Sequence, residues 1–448
     1  MDCKIFSKLN LLKLTYSIII SGFVILISAG NLKAQNGTTL VVRDFIRENW
    51  KNAIHTNTAD SGTLIGLPKP YSVPGTGGAF QEMYYWDTYF TNVGLITDEL
   101  VVQAKNNVEN ILYLVEKYGF MPNGNRTFFL VRSQPPYLSM MIRDLYEYTG
   151  DKRWLEKVLP VLEKEYCFWM EQRMTPVGLN RYGEMADDRR KLSMFALADK
   201  RLHITKKLTS LTDSMKKVYG GHLIAECESG WDFTPRFEMK CLEYCPVDLN
   251  ANLYMYEKNF AYFCKELGMP GIKKWEDAAL KRKQLFKRYN FNPVDGLYYD
   301  YNYTTSTTSG VLSAAVFNVL WSGLGDAAAA ASIQNNLFRL EERFGIVACE
   351  KAGQEARYQW DYPNGWANLQ YVAVKGLYKY GYKQDAVRIA KKFTGMVTDN
   401  FLRTGNIWEK YNMQDGSLNV NSEYKLPSMM GWTAGVYSSF MDFIENEL

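Results

Sequence analysis

Two stretches far apart in the chain each place an acid directly after a tryptophan and close to glycine. The first, residues 74–90, contains Trp86 and Asp87, and the second, residues 359–367, contains Trp360 followed by another aspartate. A tryptophan face packs against the apolar face of a sugar ring, and a carboxylate accepts hydrogen bonds from sugar hydroxyls. Because acids repel phosphate groups, the pattern disfavours nucleotides and predicts a carbohydrate-binding cleft.

Two other loops supply candidates for catalysis, because each also carries a carboxyl group beside a tryptophan. Asp232 stands between Trp231 and Phe233, and apolar neighbours of this kind raise the pKa of a carboxyl group and keep it protonated. Glu409 precedes Lys410, whose charge favours the ionised carboxylate if it points inward. Glycosidic bond cleavage requires one proton donor and one carboxylate. A hydrogen-bonded structural role for either acid remains the alternative.

Other catalytic chemistries lack their residues in this sequence. The chain has three histidines, and it contains no Gly-x-Ser-x-Gly elbow and no phosphate-binding loop, which disfavours imidazole catalysis and nucleophile triads. A zinc site is disfavoured because Cys241 and Cys245 have no second ligand pair nearby. These two cysteines either form a disulfide or lie buried as small apolar side chains. We expect no metal and no other cofactor.

Residues 1–34 are predicted to be a secretory signal peptide. Lysines precede an apolar run from Tyr16 to Ala29, and Ala34 ends a small-residue cleavage site. An uncleaved anchor is the alternative. The leader carries four lysines and one aspartate, so its removal lowers the formal charge from +4 to +1. We therefore expect a periplasmic or secreted monomer that acts on a small carbohydrate, without nucleic-acid partners and without a stable membrane span after cleavage.

The rest of the sequence predicts an all-α protein with one domain over residues 35–448. Apolar residues recur three and four positions apart, and strand-like alternation is limited to short pieces such as Gly296–Asn302. Twelve helices can pair as stacked hairpins and close as an (α/α)6 toroid, with long loops forming the cleft. The predicted helices are Val41–Ala53, Glu99–Tyr118, Gln134–Thr149, Lys152–Met174, Lys191–Tyr219 (with a break within it as the alternative), Leu249–Leu267, Lys273–Tyr289, Gly310–Ser322, Asp326–Phe344, Gly365–Lys379, Lys383–Asn400 and Gly431–Asn446.

The two tryptophan-containing stretches resemble the signature motifs of the trehalase family, glycoside hydrolase family 37. Further blocks resemble the family in the same order, namely Met121–Thr127, Val131–Pro136, Glu228–Phe233, Val247–Asn250 and Trp408–Tyr411. The resemblance implies an (α/α)6 barrel that hydrolyses α,α-trehalose with inversion, with Asp232 as general acid and Glu409 as general base. The candidate sugar-binding residues are Phe80, Tyr84, Trp86, Asp87, Asn123, Arg132, Ser133, Gln134, Gly230 and Trp360.

Three departures from the family pattern fall at sugar-contacting positions. Ala79 replaces an arginine of the first signature, an Arg-Pro-Glu block before the loop of the proposed acid has no evident counterpart, and Ser428 stands where the family has a glutamate. Another α-glucoside as substrate, a sugar-binding member without useful activity, and phosphorolysis therefore remain as alternatives. Three polar residues either contact sugar or cap helices and brace loops, namely Asp248, Asp361 and Asn364.

Overall fold

The computed structural model describes residues 40–78, 80–207, 210–352, 358–422 and 424–447. The predicted signal peptide and Ala79 lie outside these ranges. Contacts divide the chain into two compact units, residues 1–49 and 50–448. The described part of the first unit is a helix over residues 40–49 (α1). The second unit contains the other described elements, which position the candidate site.

The described part of the second unit is mostly helical. Its α-helices are α2 (Tyr85–Thr97), α3 (Val101–Tyr118), α4 (Leu138–Thr149), α5 (Lys152–Gln172), α6 (Asp188–Leu202), α7 (Ile204–Lys207), α8 (Asp213–Glu228), α9 (Val247–Leu267), α10 (Ile272–Asn290), α11 (Phe317–Trp321), α12 (Ala327–Asn335), α13 (Ala367–Lys379), α14 (Lys383–Thr404) and α15 (Gly431–Glu447). Several of these helices end at a glycine in the left-handed conformation, as α3 does at Gly119 and α14 at Gly405.

Among these helices, six pack in succession as a closed ring. The order is α2, α4, α9, α11, α13 and α15, and α15 packs along α2 to close the ring. The closing contact is tight, because a Cβ atom on Gly94 would lie 2.3 Å from the Cα atom of Gly435. Helices α3, α5, α10 and α14 pack against members of the ring as a second layer. The all-α class and the (α/α)6 toroid are therefore confirmed.

Short antiparallel strands lie in the connections between the described helices. The pair that matters for the site is β10 (Asn364–Trp366) with β11 (Lys410–Asn412), in which Trp366 lies opposite Lys410. The other strands are β1 (Ile54–His55), β2 (Tyr71–Ser72), β3 (Tyr244–Cys245), β4 (Phe291–Asn292), β5 (Leu297–Tyr298), β6 (Tyr301–Asn302), β7 (Thr307–Thr308), β8 (Glu341–Glu342) and β9 (Gly345–Ile346). The predicted strand at Gly296–Asn302 corresponds to β5 and β6.

Several predicted helix boundaries were wrong for identifiable reasons. Helix α2 was not among the predicted helices, because every residue from Tyr85 to Leu95 is buried and its sequence therefore has no polar face and no helical periodicity. The predicted helix Lys191–Tyr219 is divided into α6, α7 and α8, and α8 continues to Glu228 at the start of the loop that carries Asp232. The predicted helix Asp326–Phe344 ends at Asn335.

Two further expectations concern cysteines and membranes. Cys241 and Cys245 are free thiols and both are buried, so they pack as small apolar side chains and do not form a disulfide. Across the described residues, no helix has both the length and the apolar character that crossing a membrane requires.

Candidate active site

The residues nominated from the sequence converge on a cavity of about 170 Å³. Asp232 and Glu409 both line it, and so do nine of the ten candidate sugar-binding residues, all except Ser133. The remaining lining residues were not nominated from the sequence. They are Pro74, Phe129, Gln359, Tyr424, Met430 and Trp432.

Asp232 lies on the loop that follows α8, and burial dominates its environment. Burial raises the pKa of Asp232 to about 6, although the charge of Arg132 and a hydrogen bond from Cys227 oppose the shift. The loop begins at Gly230, whose φ is +74°, and a Cβ atom there would lie 2.6 Å from the indole of Trp86. Glycine is therefore required at this position, both for the left-handed backbone and for the close approach of Trp86.

Glu409 immediately precedes β11 and is surrounded by hydrogen-bond donors. The Tyr424 hydroxyl donates to its Oε1 at 3.1 Å, and the indole Nε1 of Trp366 approaches the same oxygen at 3.5 Å. Lys410 Nζ lies 3.5 Å from Oε2 and donates to Gln359 Oε1 at 2.9 Å. Lys410 is fully buried, and burial lowers its pKa while the charge of Glu409 opposes the shift. The Lys410 charge therefore points inward, as the prediction required.

A group of tryptophans connects the two carboxylates. Trp360 stacks on Trp366 with ring centroids 3.8 Å apart and planes within 3° of parallel. Trp360 also contacts Trp86 at 5.4 Å and Trp231 at 5.2 Å. Since Trp231 neighbours Asp232 and Trp366 approaches Glu409, aromatic packing fixes the two carboxylates in one framework.

Asp87 is a third carboxyl group in the cavity, in the first turn of α2. Burial, together with the charges of Glu409 and Asp232, raises its pKa to about 8. At neutral pH this group is therefore mostly protonated, so it is able both to donate a hydrogen bond to a sugar hydroxyl and to accept one.

Polar side chains on two loops complete the lining. The Asn123 backbone N–H donates to the Arg132 carbonyl at 3.0 Å, and Arg132 Nη2 approaches Asn123 Oδ1 at 3.4 Å. Among the described residues, no hydrogen-bond partner reaches Arg132 Nε. Gln134 Oε1 accepts from the backbone N–H of Trp86 at 3.2 Å, which ties this loop to α2.

Aromatic rings form another wall of the cavity. Phe80 contacts Tyr84 edge-on at 5.6 Å and Tyr424 at 5.7 Å, measured between ring centroids. Tyr84 in turn contacts Phe129 at 5.4 Å, and the Arg132 guanidinium lies 5.0 Å over the Phe129 ring. The cavity therefore presents both flat apolar surfaces and charged groups, as a sugar ring with its hydroxyls requires.

Ser133, unlike the other nine candidate sugar-binding residues, does not line the cavity. Its hydroxyl is fully buried and donates to the Met121 carbonyl at 2.6 Å. Its backbone N–H donates to Glu228 Oε1 at 2.8 Å. Ser133 instead anchors the chain between Arg132 and Gln134, whose side chains do line the cavity.

Ser428 and the glycines of the first stretch hold two loops together. The Ser428 carbonyl accepts from the Thr76 backbone N–H at 3.0 Å. A Cβ atom on Gly75 would lie 2.9 Å from that carbonyl oxygen, and one on Gly77 would lie 3.1 Å from Ser428 Oγ. These glycines therefore allow the first stretch to approach Ser428 closely.

The three polar residues with two possible roles lie outside the cavity lining. Asp248 binds the buried guanidinium of Arg236 through both oxygens, at 3.0 and 3.1 Å. Asn364 Nδ2 donates to the Gln359 carbonyl at 2.9 Å, and Asp361 Oδ1 accepts from its neighbouring backbone N–H at 2.7 Å. Their contacts are those of residues that brace loops.

The sequence carried partial signals for the lining residues that were not nominated. Gln359 directly precedes Trp360, and Met430 and Trp432 lie two and four positions after Ser428, the position that departs from the family pattern. Tyr424 lies in a long connection with no local pattern that points to it. Within the described ranges, no group of three or more His, Cys, Asp or Glu side chains is arranged to hold a metal ion.

Comparisons with known proteins identify the family of this chain. A family model described as Trehalase matches residues 32–445. The periplasmic trehalase of Xanthomonas axonopodis pv. citri (strain 306) is 33% identical over 423 residues, which cover 88% of this chain and 72% of that protein. The solved structure of neutral trehalase Nth1 from Saccharomyces cerevisiae is 28% identical with a TM-score of 0.71, and the match covers 90% of this chain and 80% of that one.

A more distant structure shares the fold alone. The GH63 mannosylglycerate hydrolase from Thermus thermophilus in complex with glucose is 15% identical, with a TM-score of 0.62 over 90% of this chain and 100% of that one. The family model and the periplasmic trehalase at about one third identity each match most of this chain. This chain belongs to the trehalase family.

Proposed function

We propose that this protein is an exported enzyme that hydrolyses α,α-trehalose to glucose with inversion, with Asp232 as general acid and Glu409 as general base. The observation that carries the proposal is the cavity that both carboxyl groups line, with different surroundings for each. Asp232 has a raised pKa that favours the protonated form. Glu409 has a buried lysine and a phenol directed at its two oxygens.

The chemistry follows from these two environments. Asp232 gives its proton to the glycosidic oxygen as the bond to the anomeric carbon breaks, so that the leaving glucose departs as an alcohol. Glu409 takes a proton from a water molecule that attacks the same carbon from the opposite face. An inverting pair needs roughly 6.5–9.5 Å between its carboxyl groups to leave space for that water. The tryptophan group and Phe80 provide flat surfaces for the sugar rings.

Two observations support an exported enzyme. The sequence of residues 1–34 has the pattern of a secretory signal peptide, and the relatives reported above include a periplasmic trehalase. We place the mature protein in the periplasm or outside the cell, and we propose that it acts as a monomer.

Trehalose is favoured as substrate by the family, although two family positions differ. Ala79 and Ser428 stand where the family has charged sugar contacts, and each charged hydrogen bond to a ligand contributes roughly 1.5–3 kcal/mol. Ser428 binds the first glycine-rich stretch through its backbone, so its position supports loop packing. Hydrolysis of another α-glucoside is the second candidate function.

Purified protein incubated with trehalose and with a panel of other α-linked glucosides tests the proposal. We expect glucose release from trehalose that does not depend on added phosphate. We also expect Asp232→Ala and Glu409→Ala to lose nearly all turnover while still binding sugar. The proposal fails if trehalose stays intact while another glucoside is cleaved, if turnover requires phosphate, or if both variants are as active as the parent.

A further inference from the structure

Glu226 is a buried carboxyl group beside the Asp232 loop that the mechanism above does not use. It lies in the last turn of α8 and is 1% exposed. Its Oε1 accepts from the backbone N–H of Thr234 at 2.9 Å, and its carboxyl group also interacts with the N–H of Phe233. Within the described residues, its Oε2 has no hydrogen-bond partner. This carboxyl group therefore binds the two residues that immediately follow Asp232.

The neighbouring Glu228 shows what a purely structural glutamate looks like on the same helix. The Arg173 guanidinium binds both of its oxygens at 2.9 Å. The backbone N–H groups of Ser133 and Gly183 also donate to it. Glu228 thus pairs with Arg173 through both oxygens and holds three segments together, whereas among the described residues Glu226 has hydrogen bonds only on the side that faces the Asp232 loop.

Among the described groups that face Glu226, no cation pairs with its carboxyl group. Arg236 follows the loop, and its charge reaches Glu226, but its guanidinium is bonded to Asp248 and Asp300. The other titratable groups that face it are Asp232 on the loop, Cys227 on α8 and Cys241 on the turn after the loop. Burial raises the pKa of Glu226 to about 8, and the charge of Asp232 adds to the shift. Near neutral pH, Glu226 is therefore mostly a neutral acceptor of backbone N–H groups.

The turn that Glu226 binds has an unfavourable backbone conformation that other contacts must stabilise. Phe233 has φ of +60°, a left-handed conformation that bulky residues rarely take. Three contacts hold it. The Trp360 N–H donates to the Phe233 carbonyl at 3.1 Å, the Arg201 guanidinium lies 5.0 Å over the Phe233 ring, and Glu226 binds the next residue, Thr234.

We propose that Glu226 is a positioning residue for Asp232, because it fixes the turn after the acid through the backbone N–H of Thr234. This inference rests on the proposed function, in which Asp232 donates the proton to the leaving sugar. With Glu226 in place, the strained turn directs Asp232 into the cavity. Without that acceptor the turn relaxes, and the proton donor moves away from the glycosidic oxygen while the other sugar contacts stay in place.

Two variants and two substrates test the proposal. Glu226→Ala removes the acceptor, and Glu226→Gln keeps an oxygen that accepts the same N–H. Each variant is assayed with trehalose and with α-glucosyl fluoride, whose fluoride leaves without a proton. We expect Glu226→Ala to lower kcat on trehalose about tenfold, part of the roughly 10²–10⁴-fold that a general acid contributes. KM and turnover of the fluoride should stay within about twofold, and Glu226→Gln should resemble the parent.

Hydrogen exchange provides a readout that does not depend on activity. The amide of Thr234 should exchange at least about tenfold faster in Glu226→Ala than in the parent, while Glu226→Gln keeps its protection. Equal exchange in the parent and in Glu226→Ala would overturn the proposal. If the parent cleaves neither substrate, the proposed function fails, and the exchange result alone decides whether Glu226 holds the turn.

Glu165→Ala is the matched control for loss of a buried carboxyl group. Glu165 is fully buried and binds the hydroxyls of Tyr85 and Tyr256 away from the cavity lining. This variant should lower the melting temperature and leave the ratio of trehalose to fluoride turnover unchanged. If Glu226→Ala changes only the melting temperature, or if Glu226→Gln is as poor on trehalose as Glu226→Ala, then Glu226 has no positioning role.

Discussion

The two carboxyl groups of the cavity lie in regions built on different principles. Asp232 lies on a turn with left-handed backbone at Gly230 and Phe233, and burial controls its ionisation. Glu409 immediately precedes a strand of regular antiparallel register, and donors control its surroundings. Around Asp232 the protein excludes water, and around Glu409 it supplies hydrogen-bond donors and the ammonium group of Lys410.

This difference assigns opposite roles to the same functional group. A carboxyl group whose pKa is raised by burial holds its proton more tightly than an exposed one and is suited to donate it. A carboxylate beside a buried lysine and a phenol is suited to accept a proton from water. The Trp360 stack joins the regions around Asp232 and Glu409. We therefore expect substitutions in either region to lower kcat more than they change KM.

Neutralising each carboxyl group separately should produce the largest effects. Asp232→Asn and Glu409→Gln should each lower kcat on trehalose by about 10³-fold, within the roughly 10²–10⁴-fold range of general acid–base catalysis. On α-glucosyl fluoride, Asp232→Asn should recover most of its activity because fluoride needs no proton. Glu409→Gln should remain inactive on both substrates. If steady-state assays showed the reverse pattern, Glu409 would be the general acid and Asp232 the general base.

Removing the cation of the base region should have the next largest effect. Lys410→Met leaves Glu409 without the buried charge beside its Oε2, and an unpaired buried charge costs roughly 3–5 kcal/mol. We expect kcat on trehalose to fall about a hundredfold. Lys383→Met is the control, since that exposed lysine pairs with Glu447, and it should behave like the parent. A Lys410→Met variant with kcat within about twofold of the parent would show that the cation is not needed.

The raised pKa of Asp87 predicts how the free energy of unfolding depends on pH. Its pKa is raised to about 8 in the folded protein, above the ordinary value, so the folded state binds this proton more tightly than the unfolded state does. Its contribution to stability is complete below about pH 4 and is lost as the pH rises through about 8. Between about pH 4.5 and pH 9, the free energy of urea unfolding of Asp87→Asn should increase by roughly 2–4 kcal/mol relative to that of the parent. A constant difference across that range would contradict the raised pKa.

The smallest effect should come from a single hydrogen bond of the base region. Tyr424→Phe removes the donor to Glu409 Oε1 and keeps the ring that packs against Phe80. One net hydrogen bond contributes about 1 kcal/mol, so kcat should fall about fivefold with little change in KM. A large rise in KM without a change in kcat would instead assign Tyr424 to sugar binding.

Much of the fold was predictable because most helices have one apolar face. Leu155, Val158, Leu159 and Leu162 repeat at helical spacing and are buried on α5, which begins at the predicted residue. Helix α2 was not predictable in this way, because burial on all sides removes the periodic signal. A break within Lys191–Tyr219 was left open by the sequence, but its position between α6 and α8 was not predicted, since both segments have helical composition.

The candidate site was predictable in composition and less so in geometry. The residue types around Asp232 and Glu409 indicated two different environments, and the family resemblance selected them from many acids. Sequence neighbours did not show which way a side chain points, so Ser133 was placed with Arg132 although its hydroxyl turns away from the cavity. Tyr424 reaches Glu409 from 15 positions further along the chain, a contact that depends on tertiary packing.

The anomeric form of the first product tests the central claim most directly. Proton NMR during the first minutes of trehalose hydrolysis, before mutarotation, reports the α- and β-glucose released. If Asp232 and Glu409 act on opposite faces of one anomeric carbon, the attacked sugar appears as β-glucose and the leaving sugar as α-glucose, in equal amounts. Release of α-glucose alone would mean retention at the attacked carbon, and the account of one acid and one water-activating base would be wrong.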